Sequence, residues 1–169
     1  MAIAPIVILA CGNPSRGDDA LGPLLLDRLQ DWLDGQRLAA GFELIGDYQW
    51  QVENALDLAG RRLALFIDAG QGTPAPFVFR RVHASGRVLP STHTLSPEAV
   101  LAVLQRIGQP APPAFVLCVA GECFALGVGL SEAASAHADR AFSLLQELCR
   151  SSAAWEAHLT AARGECDGR

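Results

Sequence analysis

The stretch "PIVILACGNPSRGDDALGPLLLDRLQDWL", residues 5–33, runs an apolar segment, a bend rich in glycine and aspartate, and an amphipathic segment in direct succession. "PIVILA" has strand length, is rich in β-branched residues and shows no polar alternation, the pattern of a strand buried on both faces. After the bend, Leu21, Leu24, Leu25, Leu29 and Leu33 read as one helical stripe, and Pro23 is tolerable because it falls in the first turn. The opening unit is therefore strand, tight loop, helix. Gly12 and Gly17 have the spacing of a phosphate-binding loop. Asp18 and Asp19 stand where its lysine and hydroxyl belong, and two carboxylates repel a polyphosphate.

Alternation continues along the chain. "FELIGD" reads as a second strand, and "WQVENALDLAG" as a short helix built on Val52, Ala55, Leu56 and Leu58 and ending at Gly60. "RLALFIDA" is a third buried strand ending at Asp68, with a plain loop after it. "FVFRRVH" is more polar and belongs near an edge, since Arg80 and Arg81 cannot both be buried. Ser96 and Pro97 start a helix, and "AFVLCVA" is a fifth strand. Ser131 caps a long helix to about Arg150, with Ala134, Ala138, Ala141, Leu145 and Leu148 on its buried face. This order predicts a three-layer α/β/α domain, residues 1–150, with a mostly parallel, twisted five-stranded sheet. The Ala-rich tail 151–169 is weakly patterned and is expected to fray.

The composition narrows the function. Half of the 169 residues are apolar, enough for one substantial core. A net charge of −5 without any basic stretch argues against nucleic-acid binding. No apolar stretch reaches the roughly 18 residues of a membrane span, and the N-terminal run lacks a basic flank, so it reads as a core strand and not as a signal peptide. A soluble, cytoplasmic protein is expected. Five cysteines without C-x-x-C spacing argue against a disulfide framework. Cys11 and Cys118 read as small buried hydrophobes, and Cys123, in a Gly-rich loop, as a lesser candidate for a functional thiol.

In parallel sheets the functional crevice lies beyond the carboxyl ends of the strands. Asp18 and Asp19 follow the first strand, Asp47 the second, Asp68 the third, and His93 lies in the loop after the fourth. A helix-start role suits one aspartate of the pair, Asp18, through the helix dipole. Asp68 at the end of a buried strand needs a partner charge or a metal to offset desolvation. Two carboxylates and one imidazole suit a borderline divalent metal with open positions, and neither a metalloprotease helix nor a serine elbow is present.

Laid out in this order, the residues resemble those of the hydrogenase maturation endopeptidases. "GNPSRGDDALG" is similar to the family signature G-N-x-x-x-x-D-[DE]-x-x-G, "LFIDA" to its strand-end aspartate, and "STHTLS" to its histidine loop. "DYQWQVENALDL" and "GECFALGVGLS" resemble a branch associated with soluble, cofactor-linked hydrogenases. The resemblance implies removal of a short C-terminal extension from the nickel-loaded precursor of a [NiFe]-hydrogenase large subunit. It implies that Asp19, Asp68 and His93 are catalytic residues that contact the substrate's nickel, with no permanent cofactor. Gly12 and Asn13 would shape the bend and, with Asp47, position substrate. Cys11, Ser15, Ala20, Trp50 and Val52 depart from the family's commoner residues. The same ligands would also serve a chaperone that checks nickel without cutting, while a small metallohydrolase would hold a metal of its own.

Overall fold

Every residue of β1 (Ile6–Cys11) is buried, because this strand has a neighbour on each edge and helices over both faces. A computed structural model describes residues 2–85 and 95–160. In it α1 (Leu21–Gln36) follows β1, then β2 (Phe42–Asp47), α2 (Asn54–Leu58), β3 (Leu63–Gln71) and β4 (Phe77–Val82). The described chain resumes into α3 (Pro97–Arg106), β5 (Ala114–Gly121) and α4 (Glu132–Arg150). The sheet order is β2-β1-β3-β5-β4, with all pairs parallel except β4 against β5. This is the expected single α/β domain with a mostly parallel five-stranded sheet.

Side chains alternate along β1 between two cores, as the pleat requires. Ile6, Ile8 and Ala10 pack with α1 and α4, including Ala134, Ala138, Ala141, Leu145 and Leu148. Val7, Leu9 and Cys11 pack with α2 and α3 on the other face, around Phe66 and Trp50. Ser96 Oγ accepts the N–H of Ala99 (3.2 Å) and Ser131 Oγ that of Ala134 (3.1 Å), so both expected helix caps are in place.

Some local readings change. Leu24 is 37% exposed and leaves the stripe formed by Leu21, Leu25, Leu29 and Leu33. At about 100° per residue those four drift steadily one way, and Leu24 falls about 60° behind Leu21 on the other side. The helix α2 starts only at Asn54, after Val52; Val52 and Leu56 face outward and Asn54 is buried instead. β3 does not end at Asp68 but continues to Gln71, paired only with β5.

The expectation of fraying from Ser151 does not hold for the described part of the tail. Ser152–His158 forms a 3-10 helix whose Trp155 is 2% exposed, edge-on to Phe115 with centroids 5.3 Å apart. Thr160 then bonds both backbone groups of Phe79: its N–H donates to the carbonyl (2.8 Å) and its Oγ1 accepts the N–H (2.9 Å). The tail thus covers part of the antiparallel edge strand, a common way to block edge-to-edge pairing. Among the described residues, no helix is long and apolar enough to cross a membrane.

Candidate active site

From β1 the chain crosses to β2 on one side, and β3 adds on the other, so strand order reverses between β1 and β3. Such a switch point opens a crevice at the carboxyl ends. β1 stops at Cys11 while β3 runs on, and the loop from Gly12 to Ala20 fills the step between them.

That loop has one permitted shape. Gly12 has φ 149°, and a Cβ there would lie 2.0 Å from the carbonyl oxygen of Asp19. Gly17 has φ 51°, and a Cβ would lie 2.3 Å from the Cys123 carbonyl. Asn13 folds the bend inward: its side chain accepts the Ser15 N–H (2.9 Å), and its own N–H donates to Asp19 Oδ2 (2.7 Å). Gly12 and Asn13 therefore hold Asp19 in place, whatever they do toward a substrate.

The two adjacent aspartates part company here. Asp18 is fully buried and does not cap α1, whose first turn has no side-chain cap. The 3-10 turn Gly17–Ala20 instead aims its carboxylate at the loop between β5 and α4. Glu122 N–H (2.6 Å), Cys123 N–H (3.0 Å) and Ser131 Oγ–H (2.8 Å) donate to Oδ2, and Ser131 N–H (2.7 Å) donates to Oδ1. Burial opposes the charge, but these bonds, that of the Ser131 backbone N–H foremost, outweigh it and hold the carboxyl below its ordinary range. The expected helix-start role of Asp18 is thus corrected to a latch between two loops.

Asp19 is half-buried and faces a cleft of about 540 Å³. Asp68 lines the same cleft, with Cys11, Tyr48, Gln49, Trp50, Ser96 and Phe124 among the other walls. On β3 Asp68 continues the face of Ala64 and Phe66, opposite Cys118 of β5 and one register step past the last β1 pair, Ala10 with Ile67, on the side of Cys11. Its Oδ1 accepts the Ala69 N–H (2.8 Å). Burial raises its pKa from 3.8 to about 6; bonds from the Cys11 thiol and Ala69 temper the rise, and the charge of Asp19 adds to it. Cys11, read as a plain buried hydrophobe, is thereby also a neighbour of the site, its own thiol pushed up by burial and by Asp68.

Asp68 makes a testable contribution to stability. Its folded pKa lies above its unfolded value, so ionisation disfavours the fold: the penalty is absent below about pH 4, grows between about 4 and 6, and is complete above. A two-unit shift corresponds to at most about 3 kcal/mol, and partial exposure of the side chain reduces this. Asp68→Asn, which still accepts from Ala69, is expected to melt like the unaltered protein at pH 4 and above it at pH 8. Equal melting temperatures at both pH values would show that Asp68 is not desolvated.

Asp47 closes β2 opposite Cys11, and its Oδ2 accepts from Asn54 Nδ2 (3.1 Å). It lines an adjoining cavity of about 280 Å³, with Gly12, Pro14 and Tyr48, and is not among the residues lining the Asp19/Asp68 cleft. His93 lies outside the described residues, though Leu95, two residues further along, lines the cleft. Among the described residues no three His, Cys, Asp or Glu side chains form a group that could hold a metal ion. Cys123 is exposed, and its backbone N–H serves the Asp18 latch.

Trp50, Gln49 and Phe124 were not marked as site residues by the sequence pattern. Trp50 and Gln49 come from the loop after β2, where an aromatic beside polar residues at a carboxyl end was the available signal.

No protein-family model matches the sequence, and no curated protein matches it. Solved structures with the same fold do exist. The [NiFe] hydrogenase maturation protease HycI from Thermococcus kodakarensis superposes with a TM-score of 0.65 at 23% identity, over 88% of this chain and 94% of that one. The hydrogenase maturating endopeptidase HybD from E. coli gives 0.64 at 22% identity, over 88% and 93%. A hydrogenase 2 maturation peptidase from a Thaumarchaeota archaeon gives 0.60 at 22%, over 84% and 96%. This chain has the α/β fold shared by these hydrogenase maturation proteases.

Proposed function

We propose that this protein belongs to the hydrogenase maturation endopeptidases and, in the cytoplasm, removes a short C-terminal extension from the nickel-loaded precursor of a [NiFe]-hydrogenase large subunit. The observation that carries this is the meeting of Asp19 and Asp68 in one cleft at the switch point of this fold. Two carboxylates, one from the loop after β1 and one from β3, with room beside them, suit a metal presented by a substrate.

Asp19 is suited to the part. Asn13 occupies its Oδ2, and among the described residues Oδ1 accepts no bond. Asp68 offers a second carboxylate from the rigid floor of the sheet, and His93 would supply the imidazole. The nickel arrives with the substrate, so no resident cofactor is called for, and the three contacts would register the scissile bond against the cleft. When present, the metal supplies Lewis-acid polarisation of the scissile carbonyl. General-base assistance to the attacking water is typically worth ~10²-fold or more. Gly12 and Asn13 set the position of Asp19, and Asp47 borders the adjoining groove as a residue that guides the substrate.

Incubation with nickel-loaded precursor, followed by intact-mass measurement of the large subunit, tests the proposal. Loss of a discrete C-terminal peptide is expected. A stable complex with no loss of mass would assign the protein a checking role without cutting.

A further inference from the structure

We infer that the indole N–H of Trp50 anchors the substrate by donating to a backbone carbonyl of the peptide bound in the Asp19/Asp68 cleft; this rests on the peptidase reading above. Trp50 is 4% exposed and lines that cleft. Its ring is fixed edge-on against Phe66, with centroids 5.2 Å apart and planes at 90°. Among the described residues, its Nε1 is the one buried side-chain nitrogen or oxygen without a hydrogen-bond partner.

An orphaned buried donor costs about 1–3 kcal/mol, so native structures hold few of them. The other buried polar side chains among the described residues, Asp18 and Asn54, are well satisfied. Asp18 accepts four bonds, and Asn54 takes the Gln51 N–H (2.8 Å) while donating to Asp47 (3.1 Å) and Asp57 (3.2 Å). Asn54 thereby ties the loop that carries Trp50 to the end of β2 and to α2. Among the described residues the single exception lies in a side chain in the wall of the candidate site.

The neighbours select the acceptor. Two carboxylates line the same cleft, so an anionic ligand group would be repelled from it. An indole N–H only donates; it neither ligates a metal nor takes up a proton. A neutral carbonyl remains, and a peptide presents one at every residue. One such bond near the cleft wall would fix how far the chain extends past Asp19 and Asp68, acting on binding and not on the bond-breaking step.

Trp50→Phe keeps an aromatic ring against Phe66 and removes the N–H. The probe is nickel-loaded [NiFe]-hydrogenase large-subunit precursor carrying its C-terminal extension, with equilibrium binding, melting temperature of the free protein and cleavage by mass read separately. Binding about tenfold weaker at an unchanged melting temperature is expected, the equivalent of one hydrogen bond. In the unaltered protein the indole N–H resonance of Trp50 should move downfield on binding, a readout that does not depend on the variant folding. Equal affinity with an unmoved resonance overturns the inference, as does failure of the unaltered protein to bind the precursor. Tenfold weaker binding without any cleavage by either protein would contradict the peptidase reading alone.

Discussion

Asp18→Ala is expected to lower the stability of the protein by about 3–5 kcal/mol, the range reached when a buried hydrogen-bond network is broken. The variant would leave three backbone N–H groups and one hydroxyl, contributed by Glu122, Cys123 and Ser131, without their acceptor. It would also release the N-terminal end of α4 from the loop after β1, since Ser131 is both a donor to Asp18 and the cap of α4. A domain of this size has a total stability of only about 5–15 kcal/mol, so the change is large. Because the Asp18 carboxyl titrates below its ordinary value of 3.8, its contribution is complete above that value and fades as pH falls through the lowered one. Denaturant titrations at pH 7 and pH 3 measure both effects. A loss below about 1 kcal/mol at pH 7 would contradict the latch.

Asp19→Asn should do the reverse, sparing the fold and removing activity. The amide oxygen still accepts from Asn13, so the loop keeps its bend, while the charge that the proposed function assigns to contact with the substrate's nickel is gone. Processing of the precursor is expected to fall at least about 100-fold, on the scale of losing a group that stabilises charge in the reaction. The melting temperature should stay within a few degrees. Adjacent aspartates with opposite phenotypes, one structural and one functional, would be hard to explain by anything except the division of labour seen in the loop. Processing at the ordinary rate by Asp19→Asn would remove Asp19 from the site.

How far these roles could be read from sequence depended on the range of the interaction involved. β1, α1 and α4 follow from local periodicity, because a continuous apolar run and a four-residue spacing of leucine or alanine leave few other ways to bury a core. The convergence of Asp19 and Asp68 on one crevice follows from the parallel topology alone. The partner of Asp18 could not be read this way: its donors lie 104 to 113 residues away, and nothing local marks which of two adjacent carboxylates turns inward. The order of residues 152–160 was out of reach for a similar reason. Trp155 is a lone aromatic among alanines, and its burial depends on Phe115 in a strand 40 residues earlier. β3 outruns its expected end because β5 continues to pair with it after β1 has stopped.

In the proposed function the cleft holding Asp19 and Asp68 acts on a precursor by way of the nickel which that precursor carries. The most direct measurement is the intact mass of the large-subunit precursor after incubation with this protein, made in parallel on nickel-loaded and nickel-free substrate. Loss of one C-terminal peptide from the loaded precursor and none from the nickel-free form is expected. An unchanged mass in both, or equal trimming of both, would contradict it.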